Sequence, residues 1–325
     1  MVFQQVRLQR YRTTRQMRSF VAETTLSPGN FIMPLFVNET LQGKRPISLL
    51  PNVFQHGHSS LIKEVKRLVD IGVGSVIIFG IPEKKDPLGS AAYQPDGVVQ
   101  TACRAIKEAC PDLILIADCC LCEYTSHGHC GLMEDGWLQN DATLDLLQKI
   151  AVTYAESGAD IIAPSGMMDG MVRSIRDALD SQGYPMISVM SYAVKYASNL
   201  YGPFREAAGS SENFREDRKH HQLAFSQKRE ALREALLDVE EGADYLIVKP
   251  SLFYLDIMQE LKEKTLLPIA AYHVSGEYAM IKQAAKVGIF DDADMFFEAF
   301  LCMKRAGADV IITYYADKIV ERIHS

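Results

Sequence analysis

After residue 30 the chain alternates short apolar runs, rich in β-branched residues, with longer segments whose apolar positions recur every three to four residues. The first pattern suits strands buried on both faces and the second suits helices that cover them, so their alternation predicts β-α units around a parallel sheet. Strands are predicted over 31–37, 74–80, 113–122, 159–165, 185–195, 243–250, 268–275 and 308–316. Helices are predicted over 60–71, 98–110, 142–157, 171–181, 227–241, 255–264, 277–287, 293–306 and from 318 onward. Gly158-Ala159-Asp160, Gly242-Ala243-Asp244 and Gly307-Ala308-Asp309 each end a helix and lead straight into an apolar run, with glycine supplying a left-handed turn. Eight such units favour an α/β fold of the closed (β/α)8 TIM-barrel type, because an open doubly wound sheet wants a glycine-rich loop after its first strand and none is present. The expected organisation is an extended N-terminal arm over 1–30 and one barrel over 31–325. The unpatterned stretch 201–226, full of Gly, Ser, Arg and Glu, is expected to be a lid over the barrel mouth.

Charge and composition narrow the function. A net charge of -7 argues against a nucleic-acid partner, which wants a basic surface. No apolar run approaches the roughly 18 residues that span a bilayer, and the first residues lack a signal-peptide core, so the expectation is a soluble, cytoplasmic protein. Four of the seven cysteines crowd into Cys119, Cys120, Cys122 and Cys130, which suits metal binding in a reducing compartment better than disulfides. The arm carries Arg7, Arg10, Arg12, Arg15 and Arg18 with no acidic residue before Glu23, a composition open to targeting, nucleic-acid contact or subunit contact.

In a barrel of this kind the βα loops converge on the carboxyl ends of the strands, and polar groups collect at those ends here. Asp118, Cys120 and Cys122 close the third strand, Ser165 the fourth, Lys195 the fifth, Lys249 the sixth, Ser275 the seventh and Tyr314 the eighth. Lys195 and Lys249 end neighbouring strands, which lie about 4.8 Å apart. Two crowded ammoniums depress each other's pKa, and a neutral amine attacks ketones, so the pair points to Schiff-base chemistry. Taken singly, each lysine also reads as a strand-end side chain reaching for water. Along an extended chain Cys120 and Cys122 share a side, and Cys130 can return to them. Three thiolates leave a fourth zinc position open, as in catalytic sites, whereas His129 or His127 would close it into a structural one. In the lid, Arg205, Arg218 and Lys219 could meet a substrate carboxylate, which an arginine fork suits well, though each alone also reads as a solvated charge.

These residues resemble the porphobilinogen synthase (5-aminolevulinate dehydratase) family. The resemblance rests on the cysteine segment with Ser126-His127-Gly128-His129-Cys130-Gly131, on Lys195 followed by Tyr201-Gly202-Pro203-Phe204-Arg205, on Val248-Lys249-Pro250 and on His273-Val274-Ser275-Gly276-Glu277-Tyr278, and it runs from the arm to Tyr314-Tyr315. It implies that Lys249 and Lys195 form Schiff bases with the first and second 5-aminolevulinate. Ser275 and Tyr314 would hold the first carboxylate, and Arg205, Arg218 and Gln222 the second. Tyr201 and Phe204 would line the pocket, and Asp118 and Ser165 would contact the reacting groups. Zinc would sit on Cys120, Cys122 and Cys130, and Glu234 would carry an allosteric magnesium. The resemblance also implies a homo-octamer whose arm wraps a neighbour, which accounts for the arginines better than targeting does. Cys119 is an extra thiol, Gly166 and Met171 stand where charges are common, and His129 with His220 offers a weak second metal site. A one-lysine aldolase, needing neither Lys195 nor the cysteines, and a zinc-stabilised scaffold are the competing readings.

Overall fold

The computed structural model describes residues 6–208 and 219–325. Eight parallel strands follow one another in chain order: β1 (Phe31–Asn38), β2 (Ser75–Ile81), β3 (Ile114–Cys119), β4 (Ile161–Pro164), β5 (Ser188–Lys195), β6 (Tyr245–Lys249), β7 (Ile269–His273) and β8 (Val310–Thr313). Each pairs with the next, and β8 pairs back onto β1 to close the barrel. Every residue of β1, β2, β4 and β7 is buried, as expected of strands with a filled interior on one face and helices on the other. The helices present one apolar stripe inward. His58–Asp70, for example, buries Leu61, Val65 and Leu68, spaced four and three apart.

The Gly-Ala-Asp triplets do more than turn the chain. Gly158, Gly242 and Gly307 have φ of 95°, 102° and 114°, the left-handed region that ends a helix cheaply only at glycine. The aspartate that follows then reaches back to the preceding strand. Asp160 accepts from the Leu115 N–H, Asp244 from that of Val189 and Asp309 from that of Ile269, each at 2.8 Å. Three strand pairs are thus pinned at the amino end of the barrel, opposite the end where chemistry is expected.

Several elements were not expected. Strand Leu50–His56 adds to the carboxyl end of β1 and carries the antiparallel strand Lys44–Ile47 on its far side. Pro46 and Pro51 hide this pair from a propensity reading, since proline is tolerated only at edges and strand starts. From it, buried Gln55 donates to the Ala207 carbonyl at 2.6 Å while accepting from Asn38 and Arg45. The described parts of the stretch expected as a lid carry helix Gly202–Ala207 and a bridge between Tyr196 and Leu223, while 209–218 lie outside the described residues. The arm contains helix Arg15–Phe20, capped by Thr14 and without a buried residue. Among the described residues no helix is long and apolar enough to cross a membrane.

Candidate active site

Lys195 ends β5, Lys249 ends β6, and the two are register partners across that strand pair. Both side chains are buried. Ser191 faces Leu246 and Val194 faces Val248, so three steps along β5 match two along β6. Simple alternation would put Tyr192 and Lys195 on opposite faces, and this bulge restores a common one. The Tyr192 ring accordingly lies 5.5 Å from Lys195 Nζ and 4.9 Å from Lys249 Nζ, measured to its centroid. Tyr272 of β7 comes within 4.2 Å of Lys249 Nζ, Phe204 within 5.1 Å and Tyr201 within 5.4 Å. Burial first, and the Lys195 charge second, push the Lys249 amine down from 10.5 to about 7. An appreciable fraction is therefore a neutral nucleophile near neutral pH.

Asp118, next to last in β3, joins this group. Its Oδ2 accepts from Ser165 Oγ at 3.1 Å, and the Ser165 carbonyl accepts from Lys195 Nζ. Burial, then the Glu123 carboxylate, hold the Asp118 carboxyl well above its usual range, against the pull of Lys249 and Lys195. The Tyr192 hydroxyl is near enough to influence Asp118 but lacks hydrogen-bond geometry to it. Asp118 Oδ1, the hydroxyls of Tyr192, Tyr272 and Tyr314, and Gln222 Nε2 are buried without a hydrogen-bond partner among the described residues. Unpaired buried polar atoms gathered at a barrel mouth are what a polar ligand would satisfy.

β3 ends at Cys119, so Cys120 and Cys122 leave the following turn and not, as the longer expected strand implied, one face of a strand. The Tyr124 and Thr125 N–H groups both bond the Leu121 carbonyl, and the turn brings the two sulfurs to 3.3 Å. Cys130 completes a buried trio whose sulfurs all lie within 4.8 Å of one another. The Cys122 thiol is pushed well above its ordinary value by Cys120 and Cys130 and then by burial. Tetrahedral zinc holds its sulfurs about 3.8 Å apart, so this donor set fits the ion with small adjustments, and its charge would reverse the thiol shifts. Cys119 points the other way, toward the Leu147 carbonyl at 3.8 Å, and stands outside the trio. The His129 and His220 rings lie 5.8 Å apart, and neither belongs to the trio.

Ser275 opens the helix after β7, donating to the Leu200 carbonyl at 3.2 Å and accepting from the Phe204 N–H at 3.1 Å. Tyr314 follows β8, stacked on Phe36 with centroids 6.2 Å apart. Gln222 is buried beside Leu223, whose N–H donates to the Lys195 carbonyl at 3.0 Å. Arg205 belongs to helix Gly202–Ala207, but its side chain, like the whole of Arg218, lies outside the described residues. Glu234 is half-buried on helix Arg229–Glu241, in a cleft it shares with Gln222, Asp169 and Glu230, and burial followed by those last two carboxylates raises its pKa.

Sequence reasoning passed over four residues. Tyr192 was hidden by the bulge, which reverses its parity with Lys195, and Tyr272 by its ordinary place in an apolar strand. Glu123, buried with Oε2 3.2 Å from Cys122 Sγ, sat within the cysteine segment, where a carboxylate beside thiols was itself the signal. Glu277 is fully buried and accepts from three backbone N–H groups.

Fold and mouth together define a (β/α)8-barrel enzyme whose strand ends assemble two buried amines, a carboxyl group and a thiol trio. The model of the family described as delta-aminolevulinic acid dehydratase matches residues 5–322. The protein of that name from Bacillus subtilis is 54% identical over 310 residues, covering 95% of each chain, and that from Archaeoglobus fulgidus is 49% identical over 321 residues, covering 99% of each. The crystal structure of delta-aminolevulinic acid dehydratase (porphobilinogen synthase) from Toxoplasma gondii, in complex with the reaction product porphobilinogen, superposes with a TM-score of 0.97 at 41% identity, covering 99% of this chain and 92% of that one. The chain belongs to the delta-aminolevulinic acid dehydratase family.

Proposed function

We propose that the chain condenses two 5-aminolevulinate molecules into one porphobilinogen, with loss of two waters, through imines on Lys249 and Lys195. The observation that carries this reading is the register pairing of two buried lysines, one of them with a depressed pKa. The Lys249 amine adds to the ketone of the first substrate and water leaves. Lys195 captures the second in the same way, and each lysine is released as the carbon-carbon and carbon-nitrogen bonds of the pyrrole form. Holding both ketones covalently turns a bimolecular condensation into an intramolecular one. Asp118, steadied by Ser165, has the raised pKa of a group that takes up and returns protons.

Ser275 and Tyr314 hold the first carboxylate, and Arg205, Arg218 and Gln222 the second, with Tyr201 and Phe204 as walls. Cys120, Cys122 and Cys130 hold zinc, which when bound supplies positive charge to polarise the second substrate. Glu234, with oxygen donors around it, takes a regulatory magnesium. The arm over 1–30 is a subunit contact in a homo-octamer. Seven cysteines, none in a disulfide among the described residues, favour a reducing compartment, the cytoplasm.

The test is incubation with 5-aminolevulinate, with and without zinc, read by a colour reaction for pyrrole and by borohydride reduction followed by peptide mass mapping. Pyrrole formation and an adduct on Lys249 are expected. Absence of both from zinc-loaded protein would overturn the reading.

A further inference from the structure

Glu277 occupies the third position of the helix that follows β7, where a carboxylate commonly reaches back to the N-cap N–H. It does so, with Oε2 2.7 Å from Val274 N. Its other oxygen leaves that helix altogether. Oε1 accepts from Ser251 N at 3.1 Å and Leu252 N at 2.6 Å, both in the loop that follows Lys249. A single side chain thus joins the loop after β6 to the loop after β7, away from water and with no competing donor from solvent.

The two residues before it face the lid. Ser275 Oγ bonds both Leu200 and Phe204, as described above. Gly276 lets the chain come close: a Cβ there would stand 2.5 Å from the Leu200 carbonyl oxygen and 2.7 Å from its Cα. Ser275-Gly276-Glu277 is therefore one junction. It touches the backbone carrying the nucleophile, supplies the proposed carboxylate ligand and receives the chain entering the lid.

We propose that Glu277 is a positioning residue for the condensation, fixing the Lys249 amine relative to the carboxylate-binding side of the pocket at Ser275. This rests on the imine chemistry proposed above. The amine must meet a ketone whose position is set by its bound carboxylate, so nucleophile and ligand have to be held as one rigid body. The hydrogen bonds of Glu277 are a direct side-chain link that does so. In Glu277→Gln one oxygen becomes an amide that faces a backbone N–H and cannot accept from it. The loops then part locally, while the barrel strands and the cysteine trio stay in place.

The experiment is a comparison of wild type, Glu277→Gln and Glu277→Asp, all zinc-loaded. Three quantities are read: kcat and KM for 5-aminolevulinate, the rate of borohydride trapping at Lys249, and bound zinc per folded chain. Displacement of a reacting group by about 1 Å costs up to about 100-fold, so Glu277→Gln is expected to lose about 10- to 100-fold in kcat. Trapping should slow in parallel, with KM changed less than about threefold and zinc retained. Glu277→Asp, which keeps the carboxyl group but not the reach, should fall between and serves alone if the glutamine variant does not fold. A merely structural role would lower the folded fraction and leave each folded molecule trapping at the wild-type rate, and that result overturns the inference. Failure of wild type itself to form the adduct would instead overturn the imine reading.

Discussion

Replacing Lys195 with methionine should raise the pKa of Lys249. The two amines flank one tyrosine ring at the ends of paired strands, and the charge of Lys195 is the second cause, after burial, of the low Lys249 value. Their distances to the shared ring place the amines no more than about 10 Å apart, and unit charges about 7 to 10 Å apart repel by roughly 1.7–2.4 kcal/mol at an effective dielectric of about 20, which moves a pKa by roughly 1.2–1.7. Without that repulsion the amine should titrate between about 8 and 9 instead of about 7, with burial keeping it below 10.5. The sign is fixed: the reactive form is the neutral amine, present above the pKa, so a higher pKa means less nucleophile at neutral pH. The neutral fraction at about pH 7 should fall from about half to between roughly one and ten per cent, slowing imine capture about 5- to 50-fold. Capture should recover in more alkaline buffer.

The assay is single-turnover borohydride trapping of 5-aminolevulinate at Lys249, quantified by peptide mass across a pH series. Lys195→Arg is the control that separates charge from shape, because guanidinium stays ionised and should leave the midpoint near the wild-type value. A midpoint for Lys195→Met that matches wild type or lies below it would refute the argument and leave burial as the whole cause.

Three further outcomes follow from the geometry. Cys130→Ser should lose most bound zinc and pyrrole formation yet keep its far-ultraviolet circular dichroism, because the trio, though buried, sits in the turns after β3 and not in the barrel strands; global unfolding on metal removal would contradict this. Gln55→Leu removes the buried donor to the Ala207 carbonyl and should cost about 1–2 kcal/mol, read as a several-fold rise in KM with the thermal midpoint of the barrel little changed; an unaltered KM would show that this bond does not hold the helix over the mouth. Phe300→Ala empties a fully buried position against Phe31 and His273 and should destabilise the barrel by about 3–5 kcal/mol in denaturant titration, whereas a loss under about 1 kcal/mol would mean that the cavity collapses.

The eight barrel strands were legible because strands buried on both faces must be apolar nearly throughout, and little else in the chain is. Helix ends were legible wherever glycine takes a positive φ, as at Gly158, Gly242 and Gly307. The hairpin Leu132–Glu134 with Trp137–Gln139 was missed although Asp135-Gly136 marks its turn, with φ of 50° and 81°. Its strands are three residues each, too short for alternation to register. Helix Gly202–Ala207 escaped for a related reason: at six residues it has no periodicity to read, and it exists because Gln55 and Ser275, distant in sequence, hold its two ends.

The site was legible to the extent that strand ends alone define it. A closed barrel sends every carboxyl end to one rim, so Asp118, Ser165, Lys195, Lys249, Ser275 and Tyr314 could be gathered from their places after apolar runs without knowing any distance. What that rule cannot supply is orientation. Parity would put Tyr192 on the far face from Lys195, and a one-residue bulge reverses this. Nor can it supply the links between rims of adjacent strands, because those depend on where a side chain reaches and not on where its residue sits. Glu277 reads as a helix cap in sequence, yet two of its three backbone hydrogen bonds run to the loop that follows Lys249. The nucleophile's pKa follows from burial and from the register of β5 against β6. Its aim rests on a carboxylate from the helix after β7, and removing each support in turn separates the two contributions.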